Sequence, residues 1–131
     1  MEGCTITDLK IHSKHNCYLI SPAEMERIQD QISVRVDLEQ GTYIIRIREG
    51  SFDYLRGDVH RGEPLVMLWI YGGKFVNKKN NVEVEATWTT LNGYDDTLTL
   101  EVLDSAKLCA FFFDTYVEDN EGEMIVSVVK I

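Results

Sequence analysis

Hydrophobic and polar residues alternate along the chain from about residue 34 to its end, and this period of two constrains the fold more than any other feature. In residues 43–48 the odd positions are Tyr, Ile and Ile, whereas two of the three even positions are Arg. Successive side chains of a β-strand point to opposite faces, so the pattern predicts strands with one face on a core and one in water. We expect an all-β fold, an antiparallel β-sandwich of about eight strands with a jelly-roll-like arrangement. The expected strands are 5–11, 17–20, 34–38, 43–48, 64–71, 82–88, 97–102, 108–113 and 124–128.

One short helix is expected before this β region. Ser21-Pro22-Ala23-Glu24 combines a capping serine, a proline at the first helical position and a glutamate three residues after the cap. An apolar stripe extends this helix to about residue 32. Turns are expected at Glu39-Gln40-Gly41, Gly72-Gly73 and Asn92-Gly93. We expect one domain over residues 1–131, in which 1–37 contribute two strands and the helix.

The charge distribution excludes several classes of partner. The chain has 22 acidic and 13 basic residues, and residues 81–131 contain only two of the basic ones, Lys107 and Lys130. Nucleic acids and anionic membrane surfaces are bound through Lys and Arg, so neither is an expected partner. The apolar stretches 65–71 and 108–113 are too short to span a bilayer. The first residues lack a signal-peptide pattern and the three cysteines are scattered, so we expect a cytoplasmic protein.

Catalytic motifs are absent from the sequence, and we do not expect an enzyme. There is no G-x-S-x-G elbow and no glycine-rich phosphate loop. Asp95, Asp96 and Glu101 are acid or base candidates, but carboxylates in a turn or on a polar strand face are more often solvated. His12, His15 and Cys17 lie close together without the partners that would complete a zinc site. Trp69, Tyr71 and Trp88 could stack on a sugar or a base, although aromatic residues in strands more often pack within the sheet.

The segment from Asp114 to Gly122 is the most informative candidate site. It contains Asp114, Glu118, Asp119, Asn120 and Glu121 between two predicted strands. Calcium binds six to eight oxygen atoms from carboxylates, amides and backbone carbonyls, which such a loop can supply. The alternative is an acidic hairpin closed by Gly122, and the spacing alone favours neither interpretation.

Three segments in order resemble the calcium-dependent galactophilic bacterial lectins, which are small β-sandwich proteins whose bound ion contacts the sugar. The segments are Gly41 to Ile47 with Gly50-Ser51-Phe52-Asp53-Tyr54, then Gly62-Glu63-Pro64-Leu65-Val66-Met67, and the loop from Asp114 with the strand after Gly122. Together they make residues 38–131 the lectin-like region. The string from Leu68 to Gly73, with Leu91 to Asp96, also resembles small uncharacterised cyanobacterial proteins, which implies no function.

The lectin resemblance implies a site. Its calcium ligands would be the Tyr54 carbonyl, the side chains of Asp114, Asp119 and Asn120, and a carbonyl near Val117. The string Gly57-Asp58-Val59-His60 resembles the family's sugar-contacting loop, and this resemblance implies that Asp58 and His60 contact the ligand. The chain departs from the family in four respects. It has an additional amino-terminal region with a helix and an inserted hairpin around residues 77–92. Its binding loop is shorter, and it has an Asp where the family has an Asn.

Two functions follow as hypotheses. The first is a non-catalytic, calcium-binding, lectin-like module that recognises a carbohydrate or another polyol through the ion, within a homo-oligomer. The second is a structural or interaction protein that assembles through its β-sandwich faces without a metal.

Overall fold

The structure is a computed structural model that describes residues 5–50, 64–113 and 122–131. Within these ranges there is one helix, α1 (Pro22–Arg27), which continues into a π-helical turn over Ile28–Ile32, and there are seven strands. The strands are β1 (Val34–Leu38), β2 (Gly41–Gly50), β3 (Leu65–Asn77), β4 (Val82–Asn92), β5 (Thr97–Val102), β6 (Ala106–Phe111) and β7 (Met124–Lys130).

All seven strands belong to one antiparallel sheet that curls into a half-barrel. Its order is β1-β6-β3-β5-β2-β7, with β4 paired to the other side of β3. β3 is the centre of the sheet: its first part pairs with β6 and its last three residues pair with β5, while β4 follows it on the opposite side. The predicted all-β fold with one short helix is therefore confirmed.

A bulge in β3 explains how one strand pairs with two neighbours in succession. The register runs from Tyr71 opposite Ala86 to Phe75 opposite Val84, so three residues of β3 face the single residue Glu85. Extra residues on one strand of a pair bend that strand and increase its twist. The predicted turn at Gly72-Gly73 is wrong, because the chain continues in the same direction through this bulge rather than reversing. The predicted turn at Asn92-Gly93, between β4 and β5, is confirmed.

The core lies on the concave face of the half-barrel, as the alternating pattern requires. Tyr43, Ile45 and Ile47 are buried, whereas Arg46 and Arg48 are exposed. Most of the other large buried side chains come from β1, β3, β4, β5 and β6: Leu38, Val66, Leu68, Ile70, Phe75, Leu91, Leu98, Leu100, Val102 and Leu108. Burial of apolar area at about 25 cal/mol per Å² makes this cluster the main source of stability.

The amino-terminal region agrees with the sequence in one part and differs in another. The helix is confirmed: the Ser21 hydroxyl accepts a hydrogen bond from the Glu24 backbone N–H at 3.2 Å, and Pro22 is the first helical residue. The predicted strands at 5–11 and 17–20 are wrong, because the chain forms no strand between residues 5 and 20. A strand needs a hydrogen-bonded neighbour, and none of the described strands lies beside these residues. No helix in the described ranges is long and apolar enough to cross a membrane.

Candidate functional site

Every residue of the lectin-like site lies outside the described residues. These are Tyr54, Asp58, His60, Asp114, Val117, Asp119 and Asn120. Their roles therefore stay predictions. Across residues 5–50, 64–113 and 122–131, no group of three or more His, Cys, Asp or Glu side chains is placed to hold a metal ion.

The weaker sequence candidates are engaged in local interactions. The rings of His12 and His15 stack at 4.3 Å, and the Nδ1 of His12 accepts hydrogen bonds from the backbone of Lys14 and His15. This arrangement closes a turn rather than a zinc site. Cys17 is exposed and forms no disulfide.

The three candidate acids and bases are in, or close to, the turns of the sheet. Asp96 accepts hydrogen bonds from Lys79 Nζ at 2.9 Å and from the Asn92 backbone at 3.0 Å. The lysine, followed by that backbone bond, lowers the pKa of Asp96. A carboxyl group with a lowered pKa is a poor general acid near neutral pH. Glu101 pairs with Lys78 at 3.3 Å, and Asp95 is exposed.

An open cleft of about 470 Å³ lies at the β3 bulge, and we call it the bulge cleft. Its lining residues are Tyr71, Gly72, Gly73, Lys74, Glu85, Ala86 and Asp104. The Lys74 carbonyl accepts hydrogen bonds from the backbone N–H groups of Leu103 and Asp104, at 2.8 and 3.1 Å. These two bonds fasten the turn between β5 and β6 to the bulge, so the Asp104 side of the cleft is fixed by the backbone.

Glycine at both bulge positions has a physical reason. Gly72 has φ +87°, a left-handed conformation that favours glycine. Gly73 has the Ser105 carbonyl oxygen only 2.1 Å from where a Cβ would lie, so no side chain fits there. Only glycine at position 73 lets the bulge and the turn between β5 and β6 approach each other this closely.

Four aromatic side chains cover the convex face of the sheet beside this cleft, and we call them the aromatic surface. They are Trp69, Tyr71, Trp88 and Phe111. Trp69 and Trp88 are directly opposite each other in β3 and β4, with ring centroids 4.4 Å apart. Tyr71 stacks beside Trp69 at 6.0 Å, and Phe111 meets Trp88 edge-on at 5.9 Å. Such offset and edge-on contacts stabilise aromatic pairs by about 0.5–1.5 kcal/mol beyond burial.

Tyr71 belongs to both the aromatic surface and the bulge cleft. Burial raises the pKa of its phenol, an effect that the hydrogen bond from Arg35 opposes. The group is therefore neutral near pH 7 and can both donate and accept a hydrogen bond. Arg35 Nη1 lies 3.5 Å from the phenol oxygen, and Lys107 Nζ lies 6.0 Å from the ring centroid. Two cationic groups thus border this end of the aromatic surface.

The sequence identified the aromatic residues but not the cleft. Trp69, Tyr71 and Trp88 stood out as stacking candidates, and the structure brings all three together on one face. Glu85 and Asp104 carry no motif, and they line the same cleft because it forms at the bend of β3. The glycine pair was the available signal, since glycine within a strand pattern often marks a bulge.

No family model, no curated protein and no solved structure matches this chain.

Proposed function

We propose that this protein is a non-catalytic carbohydrate-binding domain. The observation that supports this best is the continuity of the aromatic surface with a cleft that carries Lys74, Glu85 and Asp104. Ligand sites commonly combine an apolar or aromatic wall with a few polar groups that fix orientation. A sugar ring offers a matching pair of surfaces, since its C–H face packs on an aromatic ring and its hydroxyls hydrogen-bond to carboxylates.

Trp88 is the best stacking platform of the aromatic surface. It is 39% exposed, while Trp69 packs against one side of it and the edge-on contact with Phe111 restrains it further. A ring that is already held in place loses little conformational entropy when a ligand covers it. The Trp69 indole Nε1 is buried and has no hydrogen-bond acceptor among the described residues.

Calcium is the second part of the proposal. The acidic segment from Asp114 to Asn120 and the lectin resemblance support an ion held by Asp114, Asp119, Asn120 and carbonyls of Tyr54 and Val117. Vicinal hydroxyls of a sugar would then replace water on the ion, with Asp58 and His60 beside it. In a lectin-like β-sandwich, the two halves of the curled sheet would be the two facing layers, and β3 and β4 would cross from one layer to the other.

The experiment is a glycan screen of the purified protein in millimolar calcium and again in chelator, followed by titration of the best ligand. Trp88→Ala and Glu85→Gln should each weaken binding at least about tenfold, because one removes the stacking surface and the other a charged acceptor. The matched control is Tyr18→Ala, which removes an aromatic side chain that is 81% exposed and distant in sequence from the cleft.

The outcomes separate the two parts. Failure to bind any glycan, or full affinity in both Trp88→Ala and Glu85→Gln, would refute the carbohydrate site at the bulge. Undiminished binding in chelator would remove calcium from the mechanism while retaining the aromatic site.

A second candidate function is assembly, which one observation favours. Apolar side chains of both end strands of the half-barrel remain exposed: Val34 and Val36 in β1, and Ile125 and Val129 in β7. Exposed apolar patches of this kind often mark protein interfaces. A stable oligomer whose melting temperature does not respond to calcium would favour this function over the calcium-dependent one.

A further inference from the structure

The segment of residues 5–20, which we call the arm, leaves the side chains of residues 5–19 exposed. Ile6, Leu9 and Ile11 are 82%, 80% and 76% exposed, and Tyr18 and Leu19 are exposed as well. Large apolar side chains that stay in water forgo the stabilisation that burial would give. The arm therefore has a surface that needs a partner.

The half-barrel also has an open apolar groove. Its two end strands, β1 and β7, face each other across a groove of about 270 Å³ that we call the seam. The seam is lined by Val34, Arg35, Val36, Leu108, Ala110, Val126 and Val128. All of these except Arg35 are apolar, so the groove suits aliphatic side chains.

The edge strand β7 also offers hydrogen-bonding groups. Among the described residues it pairs with β2 alone, so the backbone N–H and C=O groups of its other edge have no strand beside them. Its exposed face carries Ile125 and Val129, and Lys130 is its only charged residue. Edge strands that are apolar and weakly charged are templates for pairing with another chain.

The arm has the properties of the missing strand. Residues 5–11, Thr-Ile-Thr-Asp-Leu-Lys-Ile, are rich in β-branched residues, and Leu9 and Ile11 fall on the same face of an extended chain. The sequence pattern predicts a strand here, and among the described residues no strand lies beside this segment. The charge of this segment is also compatible with an apolar groove: residues 5–11 contain one aspartate and one lysine, so they have no net charge.

We propose that residues 5–11 add to the free edge of β7 in a second copy of this chain, with Leu9 and Ile11 entering the seam. Backbone hydrogen bonds to a sheet edge supply affinity in such additions, and alternate side chains supply specificity. A two-fold arrangement lets each copy give its arm and receive the other, so both unsatisfied surfaces are covered at once.

A second copy fits better than the chain's own arm. In the single chain the side chains of residues 5–19 are exposed while the seam stays open, so folding alone does not join the two. The helix that follows the arm lines a cleft together with Phe111 and Phe113. Phe111 belongs to the convex face, whereas the seam opens on the concave face.

The test measures the molar mass of the full-length protein in solution over a range of concentrations, together with hydrogen exchange of the arm amides. Leu9→Asp places a charge in the proposed contact and changes a side chain that is already 80% exposed in one copy. Because two arms are altered per dimer, the dissociation constant should rise about 100-fold or more. The matched control, Val82→Asp, changes an exposed valine at the start of β4 and should leave the dimer intact.

The inference predicts a wild-type dimer, amides of residues 5–11 protected only in that dimer, and loss of both in Leu9→Asp. A wild-type monomer at every concentration would overturn it, as would a dimer that persists in Leu9→Asp. Protection of the arm in a monomer would also overturn it, because the chain would then fill its own seam. The readout is assembly, so carbohydrate binding can fail or succeed independently of this result, and a dimer that survives Leu9→Asp would still support assembly through another face.

Discussion

Alanine substitution of the two bulge glycines should separate a conformational cost from a steric one. Gly72 has φ +87°, and a Cβ added there meets nothing within 4 Å. Gly72→Ala should therefore cost about 1 kcal/mol, the penalty of a left-handed alanine reduced by its smaller unfolded-state entropy. A Cβ at Gly73 would lie 2.1 Å from the Ser105 carbonyl oxygen and 2.8 Å from that of Asp104. Both are backbone atoms, so the turn itself must move, and we expect a cost of about 3 kcal/mol or more.

Urea unfolding followed by tryptophan fluorescence measures both values. With a slope of about 1.5 kcal/mol per molar, the midpoint should fall by roughly 2 M for Gly73→Ala and by less than about 1 M for Gly72→Ala. Gly73→Ala should also weaken glycan binding, because Asp104 lines the bulge cleft and would shift with its turn. Equal midpoints for the two variants, or a larger loss for Gly72→Ala, would refute the argument that a close backbone contact fixes this cleft.

Three further outcomes are expected. The pKa of Asp96 lies below its ordinary value near 3.8, so its pair with Lys79 stabilises the fold above that pH, and this contribution disappears as the pH falls through the lowered pKa. Asp96→Asn should therefore cost about 1 kcal/mol of unfolding free energy at pH 7. In melting experiments over a range of pH, the difference between this variant and wild type should vanish in strong acid. Phe75→Ala should cost about 3–5 kcal/mol in denaturant unfolding because the ring is 0% exposed, whereas Phe113→Ala, at 60% exposure, should stay within about 0.5 kcal/mol. Millimolar calcium should raise the melting temperature of wild type and not of Asp114→Ala, since an ion that binds only the folded state stabilises it; an unchanged wild type would contradict a calcium site.

Local signals in the sequence were sufficient for most elements. Period-two alternation located β1, β2, β5 and β7, because a half-buried strand must present its apolar side chains at every second position. The Ser21 cap and Pro22 located the start of α1 because both act within a single turn. Strand prediction failed at residues 5–11, where propensity is suitable but no strand of the described residues lies alongside.

The candidate site was only partly accessible from the sequence. The aromatic residues could be identified by type, but their common face depends on Trp69 pairing opposite Trp88, which is a matter of register between β3 and β4. Glu85 and Asp104 are separated by a whole strand and its turns, and no spacing rule connects them. The dipeptide Gly-Gly occurs both in turns and in bulges, so the sequence does not distinguish them. The strand pairing of the residues on either side of Gly72-Gly73 shows that this pair is in a bulge.

The sequence by itself determined the all-β class, the helix start, the inward positions of most strands and an acidic carboxyl-terminal third, since each depends on side-chain type and on neighbours within a few residues. Tertiary structure decided the strand order, the bend of β3, the cleft that this bend opens and the seam between β1 and β7. These features arise from hydrogen bonds between segments that are distant in the chain. Their formation depends on the combined packing of the core, which no single segment of the sequence encodes.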